Sequence, residues 1–194
     1  AIVVEGPLAG GHLGFHADIL DNPPVLMDLV KEVKAVALEY GQKYNKSIPV
    51  IAAGGIYTGE DVACALKEGA DGVQMATRFV TTHECDADLA FKEAYIHSTE
   101  DSIGIIKSPV GMPGRAILND FITNPRGNKA CFFHCLHKCG VTDIPYCISS
   151  ALIHAVNGDT ENALLFCGSN AYKATHIEHV EDIFAEIHST LAKA

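Results

Sequence analysis

Near the start of this 194-residue chain, a histidine follows directly on two glycines, Gly10-Gly11-His12, just beyond the apolar run Ile2-Val3-Val4. Two further apolar runs end in small residues. Val50-Ile51-Ala52-Ala53 leads into Gly54-Gly55, and Val73-Gln74-Met75 leads into Ala76-Thr77-Arg78. Imidazole changes charge near neutral pH, so His12 is a candidate general base. Glycines at strand ends let a phosphate reach bare backbone N–H groups. Gly54 and Gly55, with Gln74, Met75, Ala76 and Thr77, therefore form a candidate phosphate cradle, to which Thr77 Oγ adds a hydrogen-bonding group. Each reading has a plain alternative. His12 can simply bond nearby backbone, and Gly54-Gly55 can simply make a tight turn. Arg78 can face phosphate or serve as a partnered structural arginine. Glu5 can steady His12 or stand solvated, and His16 reads as a surface or helix-start residue.

These groups need elements to carry them. Residues 24–44 open on Pro23-Pro24 and repeat apolar side chains every three or four positions (Leu26, Leu29, Val30, Val33, Val36, Ala37, Tyr40), which predicts a helix. Ile48 to Ala53 has no polar alternation and reads as a buried parallel strand. Thr58-Gly59-Glu60-Asp61 supplies an N-cap with acids in the first turn, and Gly69 a C′ glycine. Gly72 to Met75 is the next strand. Ile2 to Met75 thus reads strand–helix–strand–helix–strand, which gives a parallel sheet through right-handed crossovers. Beyond Phe79, helices are expected at 86–97, 145–156 and 177–191, turn chemistry at 109–115, and an irregular loop at 125–145.

Composition excludes several classes. The net charge is −10, with 48% hydrophobic and 20% charged residues, which fits a globular domain and argues against nucleic-acid binding. No apolar run approaches the roughly 20 residues of a membrane span. The chain begins inside a strand-like run at Ala1 with no initiator methionine, so it is expected to be a piece of a longer sequence. Seven cysteines cannot all pair internally, so free thiols in a reducing cytoplasm are expected. Cys64 and Cys167 sit in apolar settings and read as core. Cys131, Cys135, Cys139 and Cys147, with His134 and His137 between them, can be read as a metal or iron–sulfur site or as ordinary thiols; their spacing matches no standard zinc or ferredoxin pattern.

Glu5 to Gly14 (EGPLAGGHLG), Pro49 to Gly59 (PVIAAGGIYTG), Gly69 to Phe79 (GADGVQMATRF) and, more loosely, Gly111 to Ile122 (GMPGRAILNDFI) together resemble the nitronate monooxygenase (formerly 2-nitropropane dioxygenase) family of FMN-dependent TIM barrels. That family includes the flavin-dependent enoyl-ACP reductases. The resemblance implies an α/β chain of the (β/α)8 type with only the last three β/α units present, followed by a mainly helical C-terminal region. The expected division is 1–105 for the flavin-binding barrel part and 106–194 for the helical, cysteine-rich remainder. The first five strands, with their share of the flavin site, are expected to lie outside this chain. The open edge of the sheet would then invite self-association or association with that N-terminal half.

The resemblance further implies FMN as cofactor and oxidation of alkyl nitronates with O2, His12 removing the proton beside the nitro group. Gly10, Gly11 and Gly14 would bring backbone close to the flavin, Glu5 would reach a ribityl hydroxyl, and Gly54, Gly55, Gln74, Met75, Ala76 and Thr77 would hold the phosphate. Ala76 stands where many relatives carry glycine. Two alternatives remain open: enoyl-ACP reduction, and a non-catalytic piece that needs a partner chain.

Overall fold

A strand that is apolar on both faces must be covered on both, and a helix beside it must present its small residues to lie close. In the computed structural model, residues 1–124 and 144–194 are described. The order is β1 (Ile2–Glu5), β2 (Gly11–His12), α1 (Leu26–Tyr44), β3 (Val50–Ala53), α2 (Gly59–Lys67), β4 (Gly72–Gln74), α3 (Thr77–Val80), α4 (Leu89–Ile96), β5 (Ile103–Lys107), β6 (Pro113–Ile117), α5 (Asp120–Thr123), α6 (Ile148–Val156) and α7 (Val180–Leu191).

β1, β3 and β4 form a parallel sheet in chain order, with Ile2 opposite Val50 and Ile51 opposite Gly72. Each crossover therefore steps one place in the same direction. Val4, Val50 and Ala52 turn toward the helices and pack with Val30, Ala37, Ala65 and Ala70. Val3, the neighbour of Val4 on the opposite face of β1, keeps 51% of its surface in water. The predicted apolar stripe of α1 is narrower than its spacing suggests. Val30 and Ala37 are buried, but Val36 and Tyr40 are exposed, and Tyr40 stacks on Tyr44 instead.

The ends of α2 follow their sequence signals. Thr58 Oγ1 accepts from the Asp61 N–H, and the Asp61 carboxylate accepts from the Thr58 N–H. Gly69 adopts φ +109, and the Gly69 and Ala70 N–H groups close onto Leu66 and Ala65 carbonyls, a Schellman ending. α4 begins later than expected, with Asp88 as its N-cap, and α6 and α7 are likewise shorter than 145–156 and 177–191. α7 returns to α2 and buries Ile183 and Ile187 against Val62.

The region after Phe79 differs from the expectation of turns and helices. Pro113–Ile117 is a strand, paired antiparallel with β5, and the turn spans only Ser108 to Met112. Residues 103–107 form one strand across the expected border at 105/106. On its other side β6 pairs with β2, so Gly11 and His12 are themselves strand residues. Further along the same edge, Phe166 bridges Ala116. The C-terminal region thus opens with an antiparallel sheet. Its two faces are filled by Tyr95, Ile117, Ala155 and Leu165, and by Ile106, Ala116, Ile148 and Leu164.

Ile183→Ala empties a fully buried site between α7 and α2. It is expected to lower stability by about 2–5 kcal/mol, whereas the cap variant Thr58→Ala loses about 1 kcal/mol. Urea unfolding followed by circular dichroism measures both; an Ile183→Ala loss no larger than that of the cap would refute the packing.

Candidate functional site

The C-terminal ends of β1, β3 and β4 converge on a cavity of about 410 Å³. Its wall includes Glu5, Gly10, Gly11, Gly54, Gly55, Gln74, Met75, Ala76 and Thr77, together with Phe91, Tyr95, Phe166 and Gly168. All the expected cofactor residues but one therefore surround one space. The exception is Gly14. It lies beyond His12, in a separate groove of about 690 Å³ between residues 13–17 and the β5–β6 hairpin. The pairing of β2 with β6 draws the chain away from the cavity after Gly11.

The glycines also admit close approach between neighbouring loops. A Cβ on Gly10 would stand 2.5 Å from the Cys167 carbonyl carbon, and one on Gly54 would stand 2.9 Å from the Gly6 oxygen. These glycines let neighbouring loops touch backbone to backbone. Gly54 and Gly55 also hold consecutive positive φ, +90 and +81, which side chains disfavour. Their N–H groups, and those of Ala76 and Thr77, make none of the turn, loop or cap hydrogen bonds among the described residues.

His12 stands beside the cavity, not in its wall. Its ring meets the Phe166 ring edge-on at 5.0 Å, and Phe166 lines the cavity. His12 Nε2 hydrogen-bonds Ser108 Oγ at 2.7 Å, so its partner is the hairpin serine rather than Glu5. Burial holds the His12 imidazole below its ordinary value, favouring the neutral, basic form at pH 7. Glu5 lines the cavity, and burial pushes its carboxyl up.

Arg78 is structural. Its Nε and Nη2 hold both oxygens of Glu178, at 3.1 and 2.8 Å, and its Nη1 reaches Glu186 and the Tyr57 carbonyl. A second arginine was not singled out from sequence. Arg115 Nη1 donates to the carbonyls of Pro7 and Ala9, each at 2.6 Å, and so ties β6 to the loop that leads to His12. Its only sequence sign is the turn-rich stretch ahead of it.

Thr77 Oγ1 accepts from the Gly168 N–H at 3.0 Å, which leaves its hydroxyl proton for another acceptor. Cys167 is buried as expected, but Cys64 is exposed. Cys64 falls between the inward positions Val62 and Ala65 on α2, so the helix turns it outward. Cys131, Cys135 and Cys139, with His134 and His137, lie outside the described residues. Cys147, just ahead of α6, is a free thiol, and the described residues contain no group able to hold a metal. No helix among the described residues is long and apolar enough to cross a membrane.

The nitronate monooxygenase family model matches residues 1–189. A probable nitronate monooxygenase of Staphylococcus aureus strain Newman is 38% identical over 124 residues, 63% of this chain and 32% of that protein. This chain thus spans about a third of the length of the curated relatives it matches. FabK from Thermotoga maritima superposes over 98% of this chain and 54% of that one, at TM-score 0.71 and 26% identity. Nitroalkane oxidase from Streptomyces ansochromogenes shares the fold over 99% of this chain and 51% of that one, at TM-score 0.70 and 23% identity.

Two outcomes follow. Arg78→Met leaves Glu178 and Glu186 without their cation and is expected to lower stability by roughly 3 kcal/mol near neutrality. Urea unfolding at pH 7 measures the deficit; a loss below about 1 kcal/mol, the worth of an exposed pair, would contradict an enclosed ion cluster. The His12 imidazole is expected to titrate below about 6.5, so its contribution to stability is lost as pH falls through that value. Histidine NMR titration, assigned with His12→Asn, reads the midpoint directly, and a midpoint above 6.5 refutes the burial argument.

Proposed function

Because this chain belongs to the nitronate monooxygenase family, we propose that it carries the FMN-phosphate end and the proton-removing histidine of a flavin-dependent oxidoreductase acting on alkyl nitronates with O2. The observation that carries the reading is the convergence of three strand ends, and nearly all the expected residues, on one cavity. The residues fit FMN. Consecutive positive-φ glycines with uncommitted N–H groups suit a phosphate. Ser169 Oγ, next to Gly168 of the wall, is buried without a partner among the described residues, which suits a further acceptor oxygen. Ile56, Val80, Phe91 and Phe166 offer an apolar face to a planar ring.

FMN, when bound, supplies the electron-accepting ring. The chain supplies the rest. His12, held neutral by burial and fixed through Ser108, takes the proton from the carbon beside the nitro group of a neutral nitroalkane, which leaves the nitronate to be oxidised. Ser108 is 3% exposed and its backbone closes the hairpin turn, so the imidazole has a rigid support. Gly54, Gly55, Ala76 and Thr77 hold the phosphate. Sheet order equal to chain order, and the exposed Val3 on the face away from the helices, support a slice of a (β/α)8 barrel that is completed by further strands. Those strands belong to the N-terminal half or to a second copy.

A second reading, reduction of an enoyl thioester, draws on the likeness to FabK and on the groove lined by Leu13, Phe15, Ile105, Ile106 and Met112. Substrate choice separates the two. His12→Asn is expected to lower oxidation of neutral nitroalkane by about 10²–10⁴-fold, and to spare oxidation of the preformed nitronate, which needs no proton removed. Oxygen uptake with each substrate measures the split. Crotonyl thioester turnover with NAD(P)H, and none with either nitro compound, would reverse the assignment.

A further inference from the structure

Three consecutive residues after Cys167 each bind a different strand-end loop. The Gly168 N–H donates to Thr77 Oγ1 beyond β4, at 3.0 Å. The Ser169 N–H donates to the Leu8 carbonyl beyond β1, at 3.1 Å. The Asn170 Nδ2 donates to the Gly55 carbonyl beyond β3, at 2.6 Å. Gly10 packs against the same segment, with no room for a side chain between them. The segment therefore closes across all three loops of the cavity.

The Asn170 bond falls where it has most effect. Gly54 and Gly55 are the two positive-φ residues of that loop, and glycine permits many other conformations. A trans peptide unit turns its carbonyl and its N–H in opposite directions. Fixing the Gly55 oxygen toward Asn170 thus turns the Ile56 N–H the other way, and Ile56 lines the cavity. Gly168 acts similarly on Thr77: its N–H takes up a lone pair of Oγ1, so the hydroxyl proton is directed to another acceptor.

We infer that Asn170 is a positioning residue for the phosphate end of the cavity, holding the Gly54-Gly55 loop in its anion-receiving conformation while Gly168 orients the Thr77 hydroxyl. The inference rests on the FMN reading above. It adds a requirement outside the three strand ends: discrimination between phosphorylated and unphosphorylated flavin depends on residues 168–170.

The test is fluorescence titration of the chain with FMN and with riboflavin, in wild type, Asn170→Ala and Asn170→Asp. Asn170→Asp keeps the shape and replaces the donor by an acceptor, so it reports on the hydrogen bond even if Asn170→Ala fails to fold. Both variants are expected to lose FMN affinity by about tenfold and to keep riboflavin affinity within about twofold. A second readout needs no flavin. Inorganic phosphate should shift the Gly54, Gly55 and Thr77 amide signals in wild type and shift them less in Asn170→Asp. If wild type prefers FMN and both variants keep that preference, or lose both flavins equally, the positioning role is overturned and the FMN reading stands. If wild type binds FMN no better than riboflavin, the FMN reading fails and this inference falls with it.

Discussion

The constraint on which the site depends is the contact of bare backbone at Gly10 with Cys167 and Gly168. A single Cβ at Gly10 would come within 2.6 Å of the Gly168 nitrogen. Backbone cannot give way as the far end of a long side chain can, so the contact fixes where the β1 loop runs. It also joins the two halves. The parallel sheet owns the Gly10 side, and the edge of β6 owns the Cys167 side, through the Cys167 N–H to the Arg115 carbonyl. The cavity is the space that remains where those halves meet.

Two arginines secure that junction by different means. Arg78 is almost fully enclosed between two carboxylates, and Glu186 also accepts the first N–H of α2, so one cluster locks α2, α3 and α7 together. A guanidinium forked onto a carboxylate is the strongest arrangement of that kind. Arg115 is half-buried and is paired with no carboxylate among the described residues. It spends its donors on two carbonyls, and burial pulls its pKa below the ordinary arginine value without threatening its charge. Its positive charge lies behind the loop that walls the cavity.

Local signals carried well from sequence to structure. The strand runs, the Thr58 cap and the Gly69 ending depend on neighbours three to six residues away, and all of them form as the residue types require. The clustering of the small residues at strand ends also carried, because parallel β/α connectivity places every such end on one side. Long-range pairing did not. The β5–β6 hairpin has Gly and Pro at its turn, and its strand residues Gly104, Pro113 and Gly114 weaken the β pattern. β2 is two residues long and exists only because β6 is there to receive it. Arg78 shows the same limit: its partner Glu178 is 100 residues away, so sequence left phosphate and ion pair equally open.

Charge resolves the apparent conflict between an acidic chain and an anionic ligand. The net charge is −10, but the cavity wall holds one carboxylate, Glu5, and desolvation already pushes that group toward its neutral form. An anion bound nearby would push it further the same way. Behind the wall stands the Arg115 cation, and the wall itself carries the uncommitted N–H groups of the Gly54-Gly55 turn. Surface acids more than a Debye length of about 8 Å away are screened, whereas groups inside the cavity are not. The local field is therefore set by a few enclosed groups. Those groups favour an anion at the strand ends and an uncharged imidazole at His12, the protonation state that a base requires.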